Sequence, residues 1–379
     1  MMMSAKLRGQ FSYFTESLYQ ICVKTPLEQG RPLAFTIIAN PVAGGFTIPR
    51  RWTKHRIMIQ AAAERAAQNA ERSIPARPSR TAIAEGGEWG GRGVIFTGKV
   101  GDANIFAGRM ALEITEDAQK SDGPFHLLVV AGGDGTSLEA LREFVRLPDE
   151  ARRRLAVVRL PLGTGNDGSD EWELDAALER LLGPVNVEFK PAVKLVTATA
   201  GKGPFFAFNI LSVGLDAFVT HMTNRMKHKF PGDSYKLWID IASLLYDRFY
   251  KVDHINLEVY DKAGAVIKTL WEKFLLIAMG ISGHRTYGAH KPILPDDRNI
   301  CAIKQMSLIR KIAFKEYSVT GIHVSCPETF MYTASRLIIN SVRPILAQTD
   351  GEAILLEPRD FPITLELTAP LIPVLLPAK

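Results

Sequence analysis

Three glycine-bearing stretches carry residue types from which chemistry can be built: "NPVAGG" (Asn40 to Gly45), "GGDGT" (Gly132 to Thr136) and "PLGTGND" (Pro161 to Asp167). Glycine admits positive φ and lets a ligand reach the backbone with no Cβ in the way. Free amides at the start of a following helix point their hydrogens, and the positive end of the helix dipole, at an anion. Gly132, Gly133, Gly135 and Thr136 are therefore suited to cradle phosphate. Asp134 cannot touch phosphate without repulsion, so its sensible tasks are to hold a magnesium ion or to fix the loop by accepting backbone N–H groups. The stretch is not a P-loop, because the Gly-Lys-Ser/Thr ending is absent. A second acidic feature, Asp350 and Glu352 around Gly351, offers a carboxylate that could receive the proton of an attacking hydroxyl. An extended chain would put both acids on one face of a strand, whereas a turn at Gly351 leaves their geometry open and makes them a hairpin with incidental acids.

Stepping from these residues to their supports, each glycine stretch ends an apolar run. "PLAFTIIANP", "GVIFTGK", "FHLLVVAGGDG" and "RLAVVRLPLGTGND" read as strands, with helix-forming segments "TKHRIMIQAAAERAAQNAE", "GDANIFAGRMALEITEDAQK" and "ELDAALERLLG" between or after them. This alternation up to about residue 184 indicates a parallel α/β sheet, and ligands bind such sheets at the carboxyl ends of the strands. Residues 1–30 read as a peripheral amphipathic lead-in, and "RSIPARPSRTAIAEGGEWGGRG" (Arg72 to Gly93) as an exposed loop or insertion. Beyond residue 184, β-type runs separated by turn residues, with one helical stretch from Ser234 to Lys251, predict a β-sandwich-like second domain. The expected fold class is thus α/β, an N-terminal parallel-sheet nucleotide-binding domain over 31–184 followed by a β-rich domain over 185–379, whose C-terminal end could pack back on the first.

Composition is that of a folded globular chain: 379 residues, 46% hydrophobic and 23% charged. No apolar run approaches the roughly 18 residues of a spanning helix, no signal peptide is read, and the scattered Cys22, Cys301 and Cys326 argue for reduced thiols and against a zinc framework. These features point to a cytoplasmic protein. The net charge of +6 includes two clusters, "PRRWTKHR" (Pro49 to Arg56) and "NRMKHKF" (Asn224 to Phe230), suited to phosphates or anionic headgroups, or to a plain solvated face. His221, His228, His284 and His290 lack metal-ligand spacing, while Arg285 and Lys291 are better placed by type to contact a phosphate or headgroup.

Taken in order and spacing, "NPVAGG", "GGDGT" and "PLGTGND" closely resemble the catalytic domain of diacylglycerol and sphingosine kinases, soluble bacterial lipid kinases above all. "FTGKVGDA" (Phe96 to Ala103), "FNILSVGLDAFV" (Phe208 to Val219) and "TDGEAI" (Thr349 to Ile354) extend the resemblance over roughly residues 32–370. It implies ATP- and Mg2+-dependent phosphorylation of a lipid hydroxyl, hence a place in lipid metabolism such as phospholipid biosynthesis. By the same resemblance, Asn40, Gly44, Thr97, the Gly132 to Thr136 loop, Gly163, Thr164, Gly165 and Asn166 line the nucleotide site; Glu352 is the general base; Asp350 assists it or binds metal; and Asp134, Asp296 and Asp297 are metal ligands. Four positions depart from the family pattern: Ala43 replaces a serine, Leu138 an asparagine, Gly168 a phenylalanine and Arg298 a glycine after the acidic pair.

A lipid substrate requires a bilayer, so the expected partners are the lipid and, transiently, an anionic membrane surface, with "KHKFPGDSYKLW" (Lys227 to Trp238) as the docking segment. No nucleic acid is expected, and a homodimer is left open. Two other readings stay open on sequence: a kinase of NAD or another small soluble hydroxyl compound, which GGDGT alone permits, and a nucleotide- or lipid-binding module that has lost catalysis, which Ala43, Leu138 and Arg298 would suit.

Overall fold

A computed structural model describes residues 5–27, 30–69, 76–86, 92–226, 246–249, 251–288 and 290–378. The expected docking segment Lys227 to Trp238, His228 and most of the helical run from Ser234 lie outside the described residues. The chain divides into two compact units, residues 1–190 with 370–379, and residues 191–369.

In the first unit, β1 (Leu33–Ala39), β4 (Phe125–Gly132) and β5 (Leu155–Pro161) are buried at every position, as expected of parallel strands covered on both faces. β1 pairs along one edge with β2 (Ala76–Pro78) and then β3 (Val94–Phe96), and along the other with β4, which pairs with β5. The sheet continues from β5 through β20 (Ile372–Pro377), whose other edge carries β6 (Val185–Lys190) antiparallel. The chain thus leaves β1 toward one edge and re-enters on its far side, and such a reversal opens a crevice at the carboxyl ends of the strands.

Helices α1 (Ala5–Lys24), α3 (Pro49–Gln68) and α8 (Leu174–Leu182) bury side chains in one common cluster with the sheet. The one-turn α2 (Gly44–Thr47) leads into α3, and α4 (Arg80–Glu85), α5 (Asp102–Ala118), α6 (Asp134–Phe144) and α7 (Asp149–Arg152) complete the helices of this unit among the described residues. Two segments differ from expectation. The first thirty residues are not peripheral: Phe11, Phe14, Leu18 and Ile21 recur at helical spacing and are fully buried in the core cluster, where α1 packs mainly on α3. The expected loop between α3 and β3 contributes strand β2 and helix α4, whose N-cap Ser79 accepts the Ala82 amide at 3.0 Å. Glu113 then takes the Arg80 and Thr81 amides at 2.9 and 2.8 Å, contacts between residues too far apart in sequence to be read from a local pattern.

The second unit is antiparallel throughout its described pairings. Its strands are β7 (Val193–Val196), β8 (Phe205–Ala207), β9 (Ile210–Gly214), β10 (His254–Tyr260), β11 (Val266–Gly280), β12 (Arg285–Tyr287), β13 (Lys291–Leu294), β14 (Ile300–Lys304), β15 (Thr329–Tyr332), β16 (Arg336–Asn340), β17 (Ile345–Thr349), β18 (Glu352–Leu356) and β19 (Ile363–Leu367). The long β11 serves two sheets: its first half pairs with β10, and its second, past an irregularity between Phe274 and Leu276, with β9 and β14. A shared bent strand lets the two sheets fold over one apolar core that includes Leu257, Ile277, Leu337, Ala347 and Ile363. Helices α9 (Leu215–Met226), α10 (Tyr246–Phe249) and α11 (Leu308–Thr320) accompany them.

Because Phe14 is fully buried and packs edge-on against Phe46 at 5.0 Å, Phe14→Ala should cost about 3–5 kcal/mol in chemical unfolding. A cost below about 1 kcal/mol, the usual range for a surface change, would return α1 to a peripheral role.

Candidate nucleotide and acceptor sites

Register decides the first site. Phe96, Ala39, Ala131 and Leu160 lie in one row across β3, β1, β4 and β5. The next residue of each strand, Thr97, Asn40, Gly132 and Pro161, therefore stands at the carboxyl edge together. The loops that follow are joined mainly through backbone. Gly45 N donates to Leu162 O at 2.8 Å, Leu162 N to Gly132 O at 3.0 Å, Asn40 N to Ala131 O at 2.9 Å and Thr97 N to Ala39 O at 2.9 Å. Asn40 Nδ2 reaches Thr136 Oγ1 at 3.1 Å, so the first loop also grips the start of α6.

At the centre, Gly133 and Gly163 pack backbone to backbone: a Cβ on Gly163 would lie 2.4 Å from the Gly133 Cα. A methyl group on Gly45 would lie 2.7 Å from Leu162 O, and one on Gly44 3.0 Å from Thr164 Oγ1. Around Gly135, by contrast, nothing lies within 4 Å. α6 begins at Asp134 with no side-chain cap, leaving its first amides to an incoming acceptor. Asn166 holds the Gly163 loop by accepting the Gly163 amide at 2.7 Å, in a left-handed conformation (φ 62°) that asparagine tolerates.

Asp134 serves the backbone. Its Oδ1 accepts Gly168 N at 2.8 Å and its Oδ2 accepts Asp167 N at 3.3 Å, so Gly168 is needed here for its amide and not for a side chain. Burial, with the neighbouring Asp167 carboxylate adding to it, holds the Asp134 carboxyl above the ordinary aspartate range. Ala43, where a serine was expected, belongs to the apolar core cluster, and Leu138 is buried in α6. Glu139 accepts the Gly101 amide at 3.0 Å, and Asp102 the Gly98 and Lys99 amides at 2.7 and 3.0 Å, which sets the loop after Thr97.

One site residue escaped the sequence reading. Arg51, in the first turn of α3, donates through Nη1 to Gly163 O at 3.1 Å and sits beside Gly44. Its signal was the cluster Pro49 to Arg56, but only the fold turns one of those cations toward the loops while Lys54 pairs outward with Glu173 at 2.7 Å.

The acidic residues of the second unit are placed otherwise than a simple pair. Asp350 and Gly351 have φ of 45° and 99° and form the two-residue turn between β17 and β18, so Asp350 and Glu352 do not share a strand face. Asp350 is buried and its carboxylate accepts the amides of Asn209 and Ile210 at 3.1 and 3.0 Å and that of Phe208. It secures the hairpin to the start of β9. Glu352, half-buried, opens β18 opposite Thr349. Gly351 N donates to Gln348 Oε1 at 2.9 Å, and the fully buried Gln348 donates to Ser212 Oγ at 3.0 Å and Asp216 Oδ2 at 3.2 Å. Asp216 in turn lines a pocket of about 210 Å³ with Val219, Leu276, Ile293, Ile303 and Phe314 among its apolar walls and Lys291 and Lys315 among its polar ones.

Asp296 and Asp297 are each engaged by a basic side chain. Arg298, standing where a glycine was expected, holds Asp296 through Nε at 3.0 and 3.1 Å and Nη2 at 2.5 Å, and this pairing keeps the Asp296 carboxyl below its ordinary range. A cation would have to displace a guanidinium. Asp297 is fully exposed and meets His284 Nε2 at 2.9 Å. Arg285 is turned to Ser282 Oγ at 2.8 Å, and Lys291 stands at the pocket. The ligand-type side chains that do converge among the described residues, Glu113, Asp117 and His126, are occupied by Arg80, Thr81 and Lys120.

The parallel sheet places this row of loops together at the carboxyl ends of its strands. Residues 34–193 match the family described as diacylglycerol kinase catalytic domain. No curated protein matches the sequence. Two solved structures from Bacillus anthracis str. Sterne share the fold. One, described as "a putative diacylglycerol kinase", is 18% identical with a TM-score of 0.54, and the match covers 91% of this chain and 94% of that one. The other, described as a diacylglycerol kinase, is 17% identical with a TM-score of 0.50, covering 91% and 96%. No helix among the described residues is long and apolar enough to cross a membrane.

Three substitutions test this geometry. Gly163→Ala should part the loops, costing about 1–3 kcal/mol in chemical unfolding and at least about tenfold in nucleotide affinity by calorimetry, whereas Gly135→Ala should leave stability within about 0.5 kcal/mol. Asp134→Asn keeps an acceptor oxygen but removes the buried charge. Since the folded carboxyl binds its proton more tightly than the unfolded one, the wild-type charge destabilises at neutral pH and relaxes as pH falls. The variant should therefore unfold at a higher temperature than wild type at pH 7, with the difference closing on acidification; a lower melting temperature at pH 7 would refute the sign.

Proposed function

We propose that the protein is a lipid kinase that uses ATP and magnesium to phosphorylate a lipid hydroxyl, diacylglycerol-like or sphingoid. The observation that carries this reading is the in-register row of Asn40, Thr97, Gly132 and Pro161, beyond which three loops with almost no side chains surround the uncapped start of α6. Open space at Gly135 and the Cβ-intolerant Gly44 fit a polyphosphate lying against backbone. Mg-ATP would supply the phosphoryl group and neutralise its oxygens. The α6 amides, Arg51 and Thr164 would hold the phosphates, and Asp134 with Asp167, two neighbouring carboxylates that repel each other, would hold the cation.

On the acceptor side, the apolar pocket of the second unit would take the hydrocarbon part of the substrate. Its polar corner at Asp216 is linked through Gln348 to the Gly351 amide, one residue before Glu352. Glu352 would then receive the hydroxyl proton, and Asp350, committed to three backbone amides, would position that hairpin instead of binding metal. A transient encounter with an anionic membrane and a cytoplasmic setting complete the reading.

The test is to incubate the protein with Mg-ATP and a total lipid extract and identify new phosphorylated species by mass spectrometry. Glu352→Gln should lower turnover by about 10²–10⁴-fold while leaving nucleotide affinity unchanged. Phosphate transfer to NAD with no lipid product, or nucleotide binding with no transfer at all, would overturn the proposal.

A further inference from the structure

Helix α11 is amphipathic in the inverted sense. Its inward side carries a lysine: Lys311 is only 5% exposed and reaches Asp247 Oδ1 at 2.9 Å, next to the buried Phe314. Its outward side carries branched apolar residues, with Ile309 83% exposed, Ile312 54%, Val319 49%, and Ile322 just beyond the C-cap 55%. Ile309, Ile312 and Val319 recur at three and seven residues and form one stripe, joined at its N-terminal end by Leu308 and crossed by Glu316, with Ile322 exposed beyond the helix end. The helix is well terminated, with Ser307 capping its start and Gly321 in the left-handed conformation at its end, so its exposed face is not a fraying segment. A folded chain ordinarily turns such side chains inward, and contiguous exposed apolar surface of this kind marks a contact site.

We propose that this face of α11 lies in the surface of an anionic lipid bilayer, with its axis in the membrane plane. The proposal rests on the lipid-kinase reading and adds to it the surface by which substrate is collected. Two observations select a bilayer. The inner side of the same helix, through Phe314, Lys315 and Ser318, forms a wall of the apolar pocket, so a hydrocarbon chain can pass from the outer stripe to the pocket along one element. Lys291 and Lys315, both exposed, stand at that pocket, where cationic ends meet headgroup phosphates while their stems follow the apolar surface. Isoleucine, lysine and pocket together match an interface that is apolar beneath and negative above. A second copy of the chain would cover the isoleucines but would offer the lysines no phosphate.

The experiment is co-sedimentation of the full chain with vesicles of phosphatidylcholine alone or of phosphatidylcholine and phosphatidylglycerol in equal amounts, without nucleotide. Wild type should pellet with the mixed vesicles more than with the neutral ones, and Ile309→Asp with Ile312→Asp should lower that partition by at least about tenfold. Because both positions are exposed, the double variant should keep the wild-type melting temperature and nucleotide affinity, which controls for folding. Lys291→Gln with Lys315→Gln should abolish the preference for phosphatidylglycerol and leave the residual binding to neutral vesicles. Equal sedimentation of wild type and the aspartate variant overturns the proposal, as does a wild-type dimer in light scattering that the aspartate variant converts to monomer. Phosphotransfer by wild type to lipid dispersed in detergent separates the two ideas: transfer by a wild type that does not bind vesicles sinks the docking surface alone, and vesicle binding by a wild type that shows no transfer sinks the kinase reading alone.

Discussion

Gly133 and Gly163 meet with no room for a methyl group between them, and the proposed nucleotide site depends on that approach. It brings the ends of β4 and β5 close enough for Leu162 to exchange hydrogen bonds with Gly132 on one side and Gly45 on the other. Once those bonds are made, the first turn of α6, Asn40 and Arg51 have their places. Glycine is costly to order, and its use here at adjacent strand ends makes sense only if the backbone itself is the working surface.

Short acids then do for these loops what side-chain caps do for helices. Asp102, Asp134, Glu139 and Asp350 each accept backbone amides that glycine-rich or tightly turned chain leaves without partners. A buried amide without an acceptor is expensive, and a carboxylate can satisfy two or three at once. This explains why an acid in a motif need not touch substrate. Asp350 is the instructive case: it sits beside the expected base, yet its oxygens are spoken for by the chain around Phe208 to Ile210. The hairpin that presents Glu352 owes its position to this neighbour.

Local pattern made much of the fold legible. Buried runs such as Phe125 to Gly132 announced parallel strands, glycine loops announced their carboxyl ends, and β-type runs after residue 184 announced a β-rich unit, although the first of them, β6, joins the sheet of the first unit. Where local pattern failed, distant partners were the reason. Helix α1 read as peripheral because its apolar positions are mixed with polar ones, and only its packing on α3 within the core cluster shows that Phe11, Phe14, Leu18 and Ile21 are interior. The segment around Arg80 read as loop because it lacks apolar periodicity, and it is held instead by Glu113, thirty-two and thirty-three residues away. Asp296 and Asp297 were implied as ligands by the family resemblance, and Arg298, in place of a glycine, sets a guanidinium on the first of them.

The amino-acid sequence alone determined the parallel α/β and antiparallel β-rich architecture and the place of the glycine loops at the strand ends, because strand burial, glycine and the order of motifs are local properties of the chain. Tertiary structure alone decided which cation faces those loops, which acids staple backbone, how Asp216, Gln348 and Gly351 connect a pocket to Glu352, and that α11 turns its isoleucines outward. Each of these is a contact between residues far apart in the chain, and no spacing rule encodes a direction that packing assigns.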